Sequence, residues 1–243
     1  MTHRFFVPSN QVSKSGASIT GDDVNHIRLV LRMKPGDEIL VLDGTGRTYA
    51  CSIKTIKEDK VNCKIISSRS AKSEPETKIT LIQSIPRESK MDFIMQKCTE
   101  LGVSRIIPTI TERTIIKLNE EKKEKRHNRW QKIIKEAAEQ AGRGIIPKID
   151  EILRFDEALR FSKDHELCVI PWEMEEKTSL KQVLDQAPKN ILIAIGPEGG
   201  FSKTEVEKAV RAGFKPVSLG KRILRTETAG IAVLSMISYA LEM

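Results

Sequence analysis

The sequence has only four cysteines, Cys51, Cys63, Cys98 and Cys168, and no two of them form a CxxC pair. Zinc-ligand spacing is therefore absent and no disulfide framework is indicated, so the thiols read as small buried hydrophobes. The four histidines, His3, His26, His127 and His165, have no ligand spacing either, and no metal is expected. No apolar run approaches the length of a membrane helix. The stretch MTHRFFVPSNQ lacks a signal-peptide core, because its apolar part is only Phe5 to Val7. A cytoplasmic protein without a membrane partner is expected. There is no internal repeat and no low-complexity tract.

What is present is basic charge. Across 243 residues there are 41 Lys and Arg against 33 Asp and Glu, a net charge of +8. Residues 1–72 hold twelve of the cations and seven of the acids, so most of the excess lies in the smaller N-terminal part. That asymmetry points to an anionic partner such as nucleic acid.

The first seventy residues read as short strands joined by turns. EILVLDGTGRTYACSIKTI has apolar and β-branched stretches on both sides of Asp43-Gly44-Thr45-Gly46, a hairpin signal, and KVNCKIISS is a further strand. DDVNHIRLVLRM places Val24, Ile27, Val30 and Leu31 on one helical face, ended by Pro35-Gly36. A small, mostly β domain over 1–72 is expected. RSAKSEPET, residues 69–77, is polar with a proline and reads as a linker.

From there the pattern becomes strand–helix alternation. Apolar runs at 79–85, 103–110, 167–170, 191–195 and 216–220 are separated by helical stretches. Such strands specify an α/β domain over 73–243 with a mostly parallel sheet covered on both faces. Lys90 to Leu101 is a helix stopped by Gly102. Asn119 caps a long helix through Trp130 and Ile134 that Gly142 ends. Ser202-Lys203-Thr204-Glu205 is a capping box. Thr226 or Thr228 opens the last helix, with Ala229, Val233, Met236, Ile237 and Ala240 expected to face the core.

Two irregular stretches follow strands. In ILIAIGPEGGFSKTE the run Ile191–Ile195 ends in three glycines around Glu198. Glycines let the backbone approach a ligand and accept positive φ. The turn matches neither GxGxxG nor GxxxxGK[ST], and Glu198 would repel a phosphate, so a cationic or neutral ligand suits it better. A tight connection that holds nothing is the alternative. In SLGKRILRTETAGIAVL, Ile223 and Leu224 are apolar within a charged loop; they wall a pocket or pin the loop to the core. The two loops are neighbours if their strands pair.

IGPEGGFSKTE and LGKRILRTETA, with MQKCTELGV at 95–103, RWQKIIKEAAEQAGR at 129–143 and HIRLVLRMKPGDEILVLDGTG in the first domain, resemble the ribosomal RNA small subunit methyltransferase E family of the SPOUT methyltransferases. The five motifs occur in order and cover nearly the whole chain. The resemblance implies an α/β domain with a C-terminal trefoil knot, an N-terminal PUA-like β-barrel that binds RNA, and a homodimer. It implies S-adenosylmethionine as cofactor, and methylation of N3 of one uridine in the 3′ decoding region of 16S rRNA, in the small ribosomal subunit. By that resemblance the cofactor would lie between three loops. Pro171 and Trp172 stand at the first, and Gly196, Glu198, Gly199 and Gly200 form the second. The third has Leu219, Gly220, Ile223, Leu224 and Arg225, leading to Thr228 and Ala229.

Methyl transfer from a sulfonium is an in-line displacement, so positioning supplies most of the catalysis. Uracil N3 attacks only as its proton leaves, which calls for a carboxylate base or a cation that stabilises the anion. Glu198 and Glu227 are candidate bases, although Glu227 also suits a helix start simply as an acid at the dipole. Arg225 and Arg222 are candidate anion stabilisers. Candidate RNA contacts are Arg4, Arg28, Arg32, Arg113, Arg129 and Arg143, with Arg28 and Arg32 paired four residues apart on one helix. The rivals are a non-catalytic RNA-binding protein, suggested by the basic β domain, and a nucleotide-dependent enzyme, which the missing lysine in the glycine turn disfavours.

Overall fold

The computed structural model describes residues 2–71, 73–87, 90–116 and 118–242. The chain divides into two compact units, Met1–Glu74 with Ala138–Ile146, and Pro75–Ala137 with Pro147–Met243.

The first unit is built on β1 (Arg4–Phe6), β2 (Gly16–Thr20), α1 (Asp22–Asn25), β3 (Glu38–Leu42), β4 (Arg47–Ile56) and β5 (Lys60–Ser70). They form one five-stranded sheet in the order β1-β3-β4-β5-β2, parallel between β1 and β3 and antiparallel elsewhere. Alternation along the strands sends Ile39 and Val41, Cys51 and Ile53, and Val61 and Cys63 into one core with Phe5, Ile19, Val24 and Ile27. A sheet whose two edge strands share one core is curled. The β3–β4 turn is held by Asp43, whose carboxylate accepts from the Thr45 N–H at 2.9 Å, the Thr45 hydroxyl at 2.8 Å and the Tyr49 hydroxyl at 3.0 Å.

Two expectations for this unit change. The helix after β2 does not run on to Pro35. After α1 the chain widens into a π turn over His26–Val30, with the Leu31 N–H bonded to the His26 carbonyl. Arg32 then takes φ +51°, which ends the helix. The widened turn rotates Val30 and Leu29 into solvent, and it leaves Arg28 and Arg32 off any shared helical face. The stretch 69–77 is also not a linker from its start. Arg69 and Ser70 complete β5, and Glu74 accepts from Arg143 Nη2 and the Gly144 N–H, both at 2.8 Å.

The second unit contains β6 (Lys78–Ser84), α2 (Lys90–Glu100), β7 (Arg105–Ile110), most of α3 (Glu120–Ala141), β8 (Lys148–Ile149), β9 (Leu153–Arg154), α4 (Phe155–Ala158), β10 (Leu167–Pro171), α5 (Leu180–Leu184), β11 (Asn190–Ile195), α6 (Lys203–Arg211), β12 (Lys215–Val217) and α7 (Thr226–Glu242). The sheet is parallel throughout, in the order β12-β10-β11-β6-β7-β8, with β9 also on β7. Its register brings Ile107, Ile82 and Ala194 into line, and that face is covered by Phe155, Leu159, Phe201, Val206 and Ala209. On the other face Gly230 of α7 sits against Leu81 and Gln83 of β6 and Cys98 of α2, so the helix comes close enough to leave no room for a bulky side chain. The predicted caps are present: Asn119 Oδ1 accepts from the Lys122 N–H, and Ser202 and Glu205 form a reciprocal capping box.

The strands β8 and β9, two residues each, are too short for periodicity to reveal. In α7 the buried residues are Thr226, Gly230, Val233, Leu234 and Ile237, whereas Met236 and Ala240 face outward and Tyr239 is 75% exposed. The expected core face was thus partly misplaced, because this helix is apolar nearly all round and its pattern does not fix which face is inward. No helix among the described residues is long and apolar enough to cross a membrane.

Candidate active site

In a parallel sheet the loops that follow the strands gather at one edge, which is where ligands of open α/β folds bind. Here β11 and β12 do not pair. Each pairs with β10, which lies between them. The loop after β10 therefore completes the set, and the three loops enclose a cavity of about 480 Å³. Its lining includes Pro171 and Trp172; Gly196, Glu198, Gly199 and Gly200; and Leu219, Gly220, Ile223, Leu224, Arg225 and Ala229. Thr228 does not line it: this residue is exposed, and its N–H bonds the Arg225 carbonyl in the first turn of α7. Ile223 is 86% exposed, so it does not pin its loop to the core but stands at the cavity mouth.

The three glycines of the turn do different things. A Cβ on Gly196 would stand 3.2 Å from the Gly200 carbon and the Phe201 nitrogen, so the turn packs on itself there. Gly200 has φ +65°, which glycine adopts without strain, and its N–H bonds the Pro197 carbonyl. Gly199 lies against Arg113, whose Nη1 donates to the Gly199 carbonyl at 2.6 Å. Positive φ, expected for all three, is thus confined to Gly200. The far end of the turn is fixed through Ser202, whose hydroxyl donates to Glu112 at 2.6 Å, while Glu205 accepts from the Glu112 N–H at 2.8 Å. The near end is fixed by Thr226, which bonds the Gly196 carbonyl.

Glu198 is held by α2 and the residues before it. Its Oε1 accepts from the Arg87 N–H at 3.0 Å and from Lys90 Nζ at 3.2 Å. Burial alone would push this carboxyl up. The Glu198 and Arg87 backbone N–H groups and the Lys90 ammonium outweigh burial and hold it below the ordinary carboxylate range. Lys90 also lies 3.6 Å from Glu227 Oε2, an oxygen that is buried and has no hydrogen-bond partner among the described residues; Glu227, a candidate base, does not line the cavity. The sequence reading missed Lys90, although one signal was available: a cation at the first residue of a helix opposes the dipole, which implies a carboxylate partner elsewhere. The four thiols take no part. All are buried, and burial pushes Cys51 and Cys168 up to about 11 and Cys63 and Cys98 up to about 12.

The candidate RNA contacts are scattered. Arg28 is half-buried and Arg32 exposed in the first unit, where Arg4 lies against Gly142. In the second unit Arg113 braces the glycine turn, and Arg129 is bonded to Asp92 Oδ2 through Nε at 2.9 Å and Nη2 at 2.6 Å. Arg143 is only 3% exposed and pairs with Glu74, so it holds residues 144–145 in place rather than facing a partner.

The RNA methyltransferase domain family matches residues 73–238, and the RNA methyltransferase PUA domain family matches residues 19–66. The ribosomal RNA small subunit methyltransferase E of Bacillus subtilis (strain 168) is 37% identical over 93% of this chain and 91% of its own length. The chain belongs to the ribosomal RNA small subunit methyltransferase E family. The family member of Synechocystis sp. is 33% identical over 100% of this chain and 79% of its own. The crystal structure of the family member of Neisseria gonorrhoeae bound to S-adenosyl methionine superposes with a TM-score of 0.89, at 34% identity and 98% coverage of both chains. Family membership places the cavity at the carboxyl edge of the sheet in an RNA methyltransferase domain, and the curled sheet in an RNA methyltransferase PUA domain.

Proposed function

We propose that this chain methylates N3 of one uridine in the 3′ decoding region of 16S rRNA, taking the methyl group from S-adenosylmethionine, and that it acts as a cytoplasmic homodimer. The single observation that carries the reading is the three-loop cavity of about 480 Å³ with the Glu198 carboxylate in its lining. That volume is ordinary for a small-molecule site. The lining combines turn backbone at 196–200 and 218–220 with the apolar groups of Trp172, Leu219, Ile223 and Leu224, which suits a ligand with an adenosine part and a charged tail.

When bound, the cofactor supplies an electrophilic methyl group on a sulfonium. The residues present fit it. An ionised Glu198 attracts a cation. A carboxyl held below its ordinary range favours binding a cation over accepting the N3 proton, so within this reading Glu198 binds. Arg225 and Arg222, both exposed and at the cavity, would stabilise the uracil anion as the proton leaves. The outward apolar residues of α7, Met236 and Tyr239, support the homodimer.

The test is transfer of labelled methyl from S-adenosylmethionine to small ribosomal subunits from cells lacking the enzyme, followed by nucleoside analysis. Label in 3-methyluridine is expected. Absence of label, with cofactor bound, rejects the enzyme reading; label on another atom corrects the position.

A further inference from the structure

Three side chains from three separate segments meet beside the cavity: Lys90 and Glu198 line it, and Glu227 lies behind Lys90, outside the lining. Lys90 opens α2, Glu198 sits in the glycine turn after β11, and Glu227 lies in the first turn of α7. The Lys90 ammonium is 3.2 Å from Glu198 Oε1 and 3.6 Å from Glu227 Oε2. None of the three is freely solvated: side-chain exposure is 29% for Lys90, 33% for Glu198 and 17% for Glu227. Without the lysine, the two carboxylates would be left with no cation between them, and like charges in partial burial repel.

We propose that Lys90 is a positioning residue of the site, clamping the glycine turn to the start of α7 through Glu198 and Glu227 so that both loops close on the same ligand. One cation between two acids leaves the trio with a net single negative charge. The clamp does not duplicate the Thr226 bond to Gly196. That bond fixes the backbone at the start of the turn, whereas Lys90 fixes the carboxylate carried at its tip. The role of the clamp in cofactor affinity rests on the reading of the cavity as a site for S-adenosylmethionine.

The experiment compares wild type, Lys90→Met and Lys90→Arg, each also in a Glu198→Gln background. Two part-exposed ion pairs at the upper end of their usual worth predict that Lys90→Met raises KM and Kd for S-adenosylmethionine about ten-fold and lowers kcat less than about three-fold. Lys90→Arg restores most of the loss. With Glu198→Gln already in place, Lys90→Met adds little, because its effect passes through that carboxylate. Unchanged KM, a loss confined to kcat, or full additivity with Glu198→Gln overturns the proposal. Amide hydrogen exchange on the ligand-free protein separates the clamp from the cofactor reading. Faster exchange at both 199–200 and 227–229 in Lys90→Met upholds the clamp even if the wild type binds no S-adenosylmethionine, and unchanged exchange at both removes it.

Discussion

Thr226 Oγ1 donates a 2.6 Å hydrogen bond to the Gly196 carbonyl and accepts one of 3.1 Å from Gln83 Nε2. One buried hydroxyl therefore joins the end of β6, the glycine turn and the start of α7. Replacing it with the isosteric valine leaves the Gly196 carbonyl and the buried Gln83 amide each short of one partner. Thr226→Val is expected to lower folding stability by about 2 kcal/mol in urea titrations, with Thr226→Ser close to wild type.

The glycines of the turn should rank by what surrounds them. Gly196→Ala must push backbone atoms apart, so cofactor binding measured by calorimetry is expected to be lost. Gly199→Ala meets only the flexible side chain of Arg113, at 3.3 Å, and should bind within a few-fold of wild type. Gly200→Ala is expected to cost about 1 kcal/mol of stability, since alanine tolerates φ +65° poorly.

Arg143 gives a test of structure against RNA binding. Breaking its buried pair with Glu74 from either side leaves an uncompensated charge. Arg143→Met is expected to destabilise the protein by about 3 kcal/mol in thermal or urea unfolding. A stable variant with weakened RNA binding would return Arg143 to the list of RNA contacts.

Asp43 sets a pH dependence in the first unit. Burial alone would raise its pKa, but the bonds from the Thr45 N–H, the Thr45 hydroxyl, the Tyr49 hydroxyl and the Arg47 N–H lower it below the ordinary 3.8. A depressed folded-state value means the stabilisation is complete above the unfolded value and is lost as pH falls through the folded one. Asp43→Asn should cost about 1 kcal/mol at pH 7, with the gap to wild type narrowing below about pH 4.

Elements with strong local chemistry were legible in the sequence. The apolar runs became β6, β7, β10, β11 and β12, and Asn119 and Ser202 cap the helices they were expected to cap. What failed depended on long-range order or small helical irregularities. The sequence left open whether β11 and β12 pair, because pairing is decided in three dimensions, and β10 intervenes. One widened turn at His26–Val30 shifted every later side chain of that helix, Arg32 included. Lys90 lies more than a hundred residues from its partners in sequence, so no local pattern joins it to Glu198 and Glu227.

The central place of β10 between β11 and β12 has a consequence for synthesis. During translation the middle wall of the cavity and the glycine turn are made first, and the remaining wall arrives only with residues 218–229. A nascent chain that has reached β11 has strands to pair but nowhere to hold a donor molecule. Cofactor can therefore reward only the finished fold and gives no help to its precursors.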